Sequence, residues 1–228
     1  MTAITCRGIT RRYLQRGVPP VVAVDDLSLE LEEGTFVAVE GPSGSGKTTL
    51  LSMLAGLEPP DSGEISVLGH DLSRLTPTER ARLRQRRIGI VFQSFGLIAS
   101  LGAGENVALP LALAGVPERE RIARARAALA EVGLDSAYGA RPDELSGGER
   151  QRVGVARALV IEPAVILADE PTGSLDEENG RGVLTLLADA VRRRGASLVL
   201  VTHDPASAAM ADRHYRMRDG RLTEQVRA

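Results

Sequence analysis

Gly41-Pro42-Ser43-Gly44-Ser45-Gly46-Lys47-Thr48 sets three glycines and two serines ahead of a lysine and a threonine. It fits G-x-x-x-x-G-K-[ST], a loop that wraps phosphate groups. Glycines let the chain turn tightly and bring successive N–H groups close to phosphate oxygens. Lys47 has the reach to meet terminal phosphates, and the Thr48 hydroxyl is a ligand type suited to Mg²⁺. The flanks agree. Phe36-Val37-Ala38-Val39 reads as a buried strand before the loop, and Thr48 to Ala55 reads as a helix after it. That helix would aim its positive end at the phosphates. The chain holds 28 Lys and Arg residues together, and Lys47 is the single lysine. A compact ammonium on a thin stem is thus kept where a wide guanidinium fork would fit less well.

Composition sets the outer limits. With 228 residues and 43% hydrophobic content the chain can bury one large aliphatic core; aromatics are 3% and tryptophan is absent. A net charge of −2 argues against nucleic-acid binding by global charge, and the arginines from Arg80 to Arg87 read as a solvated helix face. The single cysteine, Cys6, excludes an internal disulfide framework and reads as a small, partly buried strand residue. No signal-peptide pattern is seen. The longest apolar stretch, Val107 to Val116, is interrupted by Pro110 and falls short of the roughly 20 apolar residues of a membrane span. A cytoplasmic location is expected, unless a partner holds the chain at a membrane.

Residues 2 to 40 read as β-rich, with Asp25-Asp26 as a bend and Glu33-Gly34 as a turn. Pro59 to Gly63 is a turn, followed by a strand over Glu64 to Leu68. Thr76, Pro77 and Glu79 carry helix-start signals for an arginine-rich helix. From Ser94 to about Arg157 helical pattern takes over, including a helix from Pro117-Glu118 through Ala130. After Pro163 strands and helices alternate again: Val165 to Ala168 strand, Asn179 to Arg194 helix, Ser197 to Val201 strand. The expected fold is α/β, a phosphate-loop core with a mostly parallel sheet, an N-terminal antiparallel β subdomain and an inserted α-helical lobe. It is expected as a single domain over 1–228, with core about 1–93 and 158–228 and lobe about 94–157.

Four apolar runs each lead to a polar residue suited to phosphate chemistry. Phe36 to Val39 leads to the Lys47 loop, Ile88 to Phe92 to Gln93, Val165 to Ala168 to Asp169-Glu170, and Ser197 to Val201 to Thr202-His203. Continuous apolar runs suit strands buried on both faces, and ligands of open α/β sheets sit beyond the carboxyl ends of the strands. The expected roles follow from hydrolysis. Asp169 and Thr48 serve the metal, Glu170 polarises the attacking water, Gln93 completes the metal shell or positions that water, and His203 contacts the γ-phosphate. His70 and His214 lack such a position and are read as structural. Leu145-Ser146-Gly147-Gly148-Glu149 is a second phosphate-directed element. Ser146 and Glu149 form a capping box, and the two glycines are not required by capping and weaken the first turn.

Taken together, LSGGERQR, GPSGSGKT, Gln93, VILADE, Ser174-Leu175-Asp176 and His203 resemble the ATP-binding subunit of ABC transporters over nearly the whole chain. That resemblance implies ATP and Mg²⁺ as cofactors and two copies pairing head to tail. The loop from Gly41 to Thr49 of one copy and Ser146, Gly147 and Gly148 of the other would enclose each ATP, with Asp176 at the interface. Tyr13 matches the aromatic that stacks on adenine. Phe92 to Leu97, Glu105 to Leu111 and LADEPTGSLD look like the macrolide-exporter and lipoprotein-releasing branch. Gly102-Ala103 departs from the Leu-Thr pair usual there. The implied function is ATP hydrolysis that powers a separate membrane permease, an exporter or a lipoprotein-, peptide- or drug-extruding complex. The chain would be peripheral on the inner face of the membrane. The alternative is a regulator of the cell-division type, transmitting force through a membrane partner without solute transport. Ser94 to Leu113 is the expected permease-facing segment, and no nucleic-acid partner is expected.

Overall fold

β1 (Thr2–Gln15) and β2 (Val18–Glu32) turn the N-terminal alternation into an antiparallel hairpin, with Cys6 opposite Leu29 and Thr5 opposite Glu30. The computed structural model describes residues 1–15 and 18–225; of the expected 1–228 domain, 16–17 and 226–228 lie outside the described residues. Ile4, Ile9, Leu27, Leu29 and Leu31 face inward and are buried. The expected bend appears as a register shift: Gly8 and Asp26 take positive φ between paired Cys6 and Arg11. β3 (Phe36–Glu40) is buried throughout its apolar run and hands over to α1 (Lys47–Leu54). β4 (Ser62–Val67) pairs with β1, and β5 (His70–Asp71) completes a four-stranded sheet in the order β2-β1-β4-β5. α2 (Pro77–Arg87) begins where capping predicts, with Thr76 N–H donating to Glu79 Oε2 at 2.8 Å. None of its residues is buried, and Arg84 reaches back to the Gly56 carbonyl at 2.9 Å.

Next come β6 (Ile88–Val91), α3 (Ala103–Leu113), α4 (Glu118–Glu131), two short 3-10 turns (Asp135–Ala137 and Pro142–Glu144), α5 (Gly147–Leu159), β7 (Val165–Asp169) and α6 (Glu177–Arg194). β6 and β7 pair in parallel, Ile88 with Val165 through Val91 with Ala168. Gly89 is required here, because a Cβ would sit 2.5 Å from the Ala158 carbonyl oxygen of α5. α3 runs through Pro110 rather than stopping before it. α5 buries Gln151, Val153, Val155, Ala156 and Leu159. Asp176 caps α6, Gly195 ends it at φ 65°, and Arg192 to Arg194 sit in its last turn, where the helix dipole favours cations.

The chain closes with β8 (Ser197–Thr202), α7 (Pro205–Ala208), β9 (Arg213–Arg218) and β10 (Arg221–Gln225). β8 and β9 lie in parallel on either side of β3, and β10 returns antiparallel to β9. Two compact units result: Met1–Arg84 with the segment from Ser197 onward, and Gln85–Ala196. The mostly parallel pairing and the N-terminal antiparallel sheet are as the sequence predicts. Cys6 is more buried than expected, 2% exposed, and burial pushes its thiol up to about 12. No described helix is long and apolar enough to cross a membrane.

Candidate functional site

In the first unit the phosphate loop is a built cradle. Gly44 and Gly46 take φ of 80° and 104°, a region closed to most side chains. A Cβ at Gly46 would run into the Ala23 carbonyl oxygen, and one at Gly41 into the Met217 carbonyl oxygen. Both positions are glycine because neighbouring backbone already fills the space. α1 starts at Gly46 with no side-chain cap and no acidic residue in its first turn, so its positive end faces the loop without a carboxylate of its own. Lys47 is 5% exposed and folds back, its Nζ donating to the Gly41 carbonyl at 2.8 Å and the Pro42 carbonyl at 3.0 Å. Ser45 Oγ is buried without a hydrogen bond. Thr48 is exposed at the first turn of α1, next to Thr49. An uncapped helix start, a buried ammonium and an orphaned hydroxyl fit a polyphosphate.

His203 arrives beside this loop because β3 and β8 are in register, Glu40 against Thr202, and Gly41 N–H donates to the Thr202 carbonyl at 3.1 Å. His203 is exposed. Asp204, next to it, caps α7; the Ser207 hydroxyl, with the His203 charge as a smaller contributor, holds its carboxyl below the usual range. Tyr13 stands on β1 with its hydroxyl donating to Glu58 Oε2 at 2.7 Å, and the Arg11 guanidinium lies 5.2 Å from its ring centre. His70 is exposed on β5. His214 sits on β9 with Nε2 3.0 Å from Glu40 Oε2, one residue before the loop.

In the second unit Gln93 and Asp169-Glu170 follow the carboxyl ends of paired β6 and β7. Gln93 Nε2 and Glu170 Oε2 both border Gly173, 3.4 and 3.5 Å from where its Cβ would be. Glu170 has φ 42°, a left-handed backbone for a carboxylate residue. Such strain persists only where surrounding structure holds it. Gly173 N–H donates to the Glu170 carbonyl at 3.1 Å, closing that turn. The described residues contain no cluster of three His, Cys, Asp or Glu side chains. Gln93 and Asp169 offer amide and carboxylate oxygens, a donor type that suits a hard cation keeping water and phosphate ligands, as Mg²⁺ does.

Ser146 caps α5 as predicted: its Oγ accepts from Glu149 N–H at 3.2 Å, and its own N–H donates to Glu149 Oε2 at 2.8 Å. These bonds hold the Glu149 carboxyl below its ordinary value. Ser146 remains exposed.

The family model described as ABC transporter matches residues 24–173. The chain belongs to the ABC transporter family. It is similar to the lipoprotein-releasing system ATP-binding protein LolD of Chromohalobacter salexigens, 44% identical over 98% of this chain and 94% of the relative. It is also 47% identical to the macrolide export ATP-binding/permease protein MacB of Rhodospirillum rubrum, over 90% of this chain but only 31% of that protein. Among solved structures, the dimeric ABC transporter cassette MJ0796 matches with a TM-score of 0.90 and 37% identity, covering 97% of both chains. Another structure of that cassette, a dimer in a post-hydrolysis state bound to ADP and Pi, matches with a TM-score of 0.90 and 36% identity. The chain is therefore an ATP-hydrolysing ABC cassette of the macrolide-export and lipoprotein-releasing branch.

One face of this cassette's α5 carries functional contacts that sequence reading missed. Gln151 Nε2 donates to the Phe92 carbonyl at 3.3 Å, and Arg157 donates to the Phe95 carbonyl at 3.0 Å and to the Gly96 carbonyl at 2.5 Å. Gly154 lets Phe95 approach, its Cβ position lying 3.3 Å from the Phe95 oxygen, and Arg150 lies 5.0 Å from the Phe95 ring centre. Positions 150, 151, 154 and 157 form one helical stripe. That stripe clamps the loop after Gln93, where Phe95 takes φ 62°. Burial lowers the Arg157 pKa. The helical spacing was visible in the sequence, but the loop it grips was not.

Proposed function

We propose that this ABC cassette hydrolyses ATP with Glu170 as the base that polarises water, and that two copies enclose the nucleotide. The observation that carries the hydrolytic half is Glu170 and Gln93 bordering one glycine at the ends of paired strands. A carboxylate held by a strained turn beside an amide suits a water bound between them. Gly41 to Gly46, Lys47 and Thr49 bind the phosphates; Thr48, Asp169 and Gln93 hold Mg²⁺, and Tyr13 faces adenine. When bound, Mg²⁺ neutralises charge that develops on the β- and γ-phosphates. His203 meets the terminal phosphate from the strand beside the loop. Ser146, Gly147 and Gly148 act on the ATP of the other copy, and Asp176 lies at that interface. The exposure of Ser146 at the start of α5 supports this, since its hydroxyl stands at the positive end of the helix.

The assembly powers a membrane permease in an exporter or lipoprotein-releasing complex. Relatives named for lipoprotein release and for export with a permease in the same chain support that reading. The clamped loop from Phe92 to Gly96 and the exposed Phe92 and Ile98 are the permease-facing surface, and the chain is held at the membrane through it. The test is Glu170→Gln. It keeps ATP binding, lowers turnover by about 100-fold or more, and gives a dimer by sedimentation in MgATP. Near-normal turnover refutes Glu170 as base, and a strict monomer at saturating MgATP refutes the shared site. Lys47→Ala instead weakens nucleotide binding itself.

A further inference from the structure

α5 opens on Gly147 and Gly148, and neither has a positive φ. In a helix a glycine costs up to about 1 kcal/mol relative to alanine, so each needs a reason other than backbone conformation. For Gly148 the reason lies inside the chain. A Cβ there would meet the Asn179 amide, 2.6 Å from Cγ and 3.2 Å from the Asn179 Cβ itself. Asn179 is held in place from two sides. Its backbone N–H donates to Asp176 Oδ1 at 2.9 Å and its Nδ2 to Asp176 Oδ2 at 2.7 Å. Its Oδ1 accepts from Arg152 Nη1 of α5 at 3.3 Å. The side chain cannot turn away without breaking its Nδ2 bond to Asp176 or the link to α5. For Gly147 the described residues supply no such reason. The nearest atom to its Cβ position is Leu175 Cδ2 at 3.8 Å, ordinary contact.

We propose that Asn179 is a positioning residue that locks the Ser174-Leu175-Asp176 turn to the first turn of α5, so that both meet the second copy as one piece. Gly148 is glycine to admit Asn179. Gly147 is glycine to admit the ATP-bearing surface of the other copy. The inference rests on the shared-site reading above, because only there do Ser146 and Asp176 face the same partner. The two hydrogen bonds to Asp176 fix the turn, and the Arg152 bond with the close Gly148 contact fixes the helix. A shift of either element is then passed to the other, and neither closes on nucleotide alone.

The test uses the full chain carrying Glu170→Gln, with MgATP titrated and dimer measured by sedimentation. Asn179→Ala raises the MgATP needed for half-maximal dimer several-fold, roughly what loss of one or two hydrogen bonds gives. It leaves the monomer's ATP affinity unchanged, which a general structural defect would not. Gly148→Ala raises it by roughly tenfold or more, the scale of overpacking. The double variant Gly148→Ala/Asn179→Ala loses the 2.6 Å clash and keeps only the 3.2 Å contact with Cβ, so it falls most of the way back to the Asn179→Ala value. Gly147→Ala blocks dimerisation whether or not Asn179→Ala is present. A double variant no better than Gly148→Ala overturns the inference, as does an Asn179→Ala titration that does not move. If the Glu170→Gln parent forms no dimer, the shared site itself fails. The lock is then decided by thermal unfolding, where Gly148→Ala lowers the midpoint and the double variant recovers it; equal midpoints refute the lock.

Discussion

The chain carries two glycine-rich elements at helix starts, and they differ in what holds them. From Gly41 to Gly46 the glycines answer to their own chain: φ of 80° and 104° at Gly44 and Gly46, and backbone oxygens of Met217 and Ala23 where side chains would go. The loop is complete before any ligand arrives. At Gly147 and Gly148, behind the extended cap Ser146, the backbone is ordinary helix; one glycine answers to Asn179, and among the described residues the other meets only Leu175 in ordinary contact. A glycine without an internal cause points outward. On the proposed reading, the first element is shaped by its own chain and the second is shaped in part for a partner.

The strongest way to break this contrast is to add a methyl group on each side. Gly46→Ala meets both a forbidden φ and the Ala23 carbonyl, and should cost about 3 kcal/mol or more in folding. Gly147→Ala should change stability by less than about 1 kcal/mol, in the stabilising direction, while blocking MgATP-driven dimerisation. Urea unfolding of both variants decides; a Gly147→Ala loss equal to that of Gly46→Ala removes the distinction. Next in size is Arg157→Met. It deletes the clamp on the Phe95 and Gly96 carbonyls and should cost about 1.5–3 kcal/mol, typical of charged hydrogen bonds. Amide exchange should rise over residues 94–101 and stay unchanged over 41–47, since Arg157 grips only the former. The smallest effect is on acid stability. Hydrogen bonds from the Ser146 backbone and side chain lower the Glu149 pKa, and those from Asn179 lower the Asp176 pKa. Depressed carboxylates contribute stability above the unfolded value and lose it as pH falls through the folded one, so both caps should loosen below about pH 4. α1, started by Gly46 without a side-chain cap, has no such carboxylate. Amide exchange of the first turns between pH 3 and pH 7, against Glu149→Gln, reads the difference. Equal acid response in α1 and α5 would count against it.

What was legible in the sequence was what is local. The phosphate loop, the capping boxes at Thr76 and Ser146, and the apolar runs of β3, β6, β7 and β8 all declare themselves within about ten residues. Their chemistry acts over one turn or one strand. The helix boundaries at α4 and α6 moved by only one or two residues from those expected. α3 continues through Pro110, which local helix rules do not announce. Tertiary packing outweighs the missing N–H there. Tyr13, read only as an adenine platform, also bonds Glu58, a partner 45 residues away that no local pattern announces.

The strands whose ends carry Lys47, Gln93, Asp169 and His203 were determined by the sequence alone. Hydrophobic period and glycine spacing act through the backbone nearby, and these need no knowledge of distant neighbours. Which glycines are obligatory, and to whom, was decided only by tertiary structure. Gly41 owes its place to Met217, Gly46 to Ala23, Gly89 to Ala158 and Gly148 to Asn179. Steric exclusion acts between atoms in space, and those atoms come from segments far apart along the chain. The same holds for the clamp of Arg157 on Phe95 and Gly96, 62 and 61 residues apart in sequence. A helical stripe can be read from spacing, but what it touches is settled by packing.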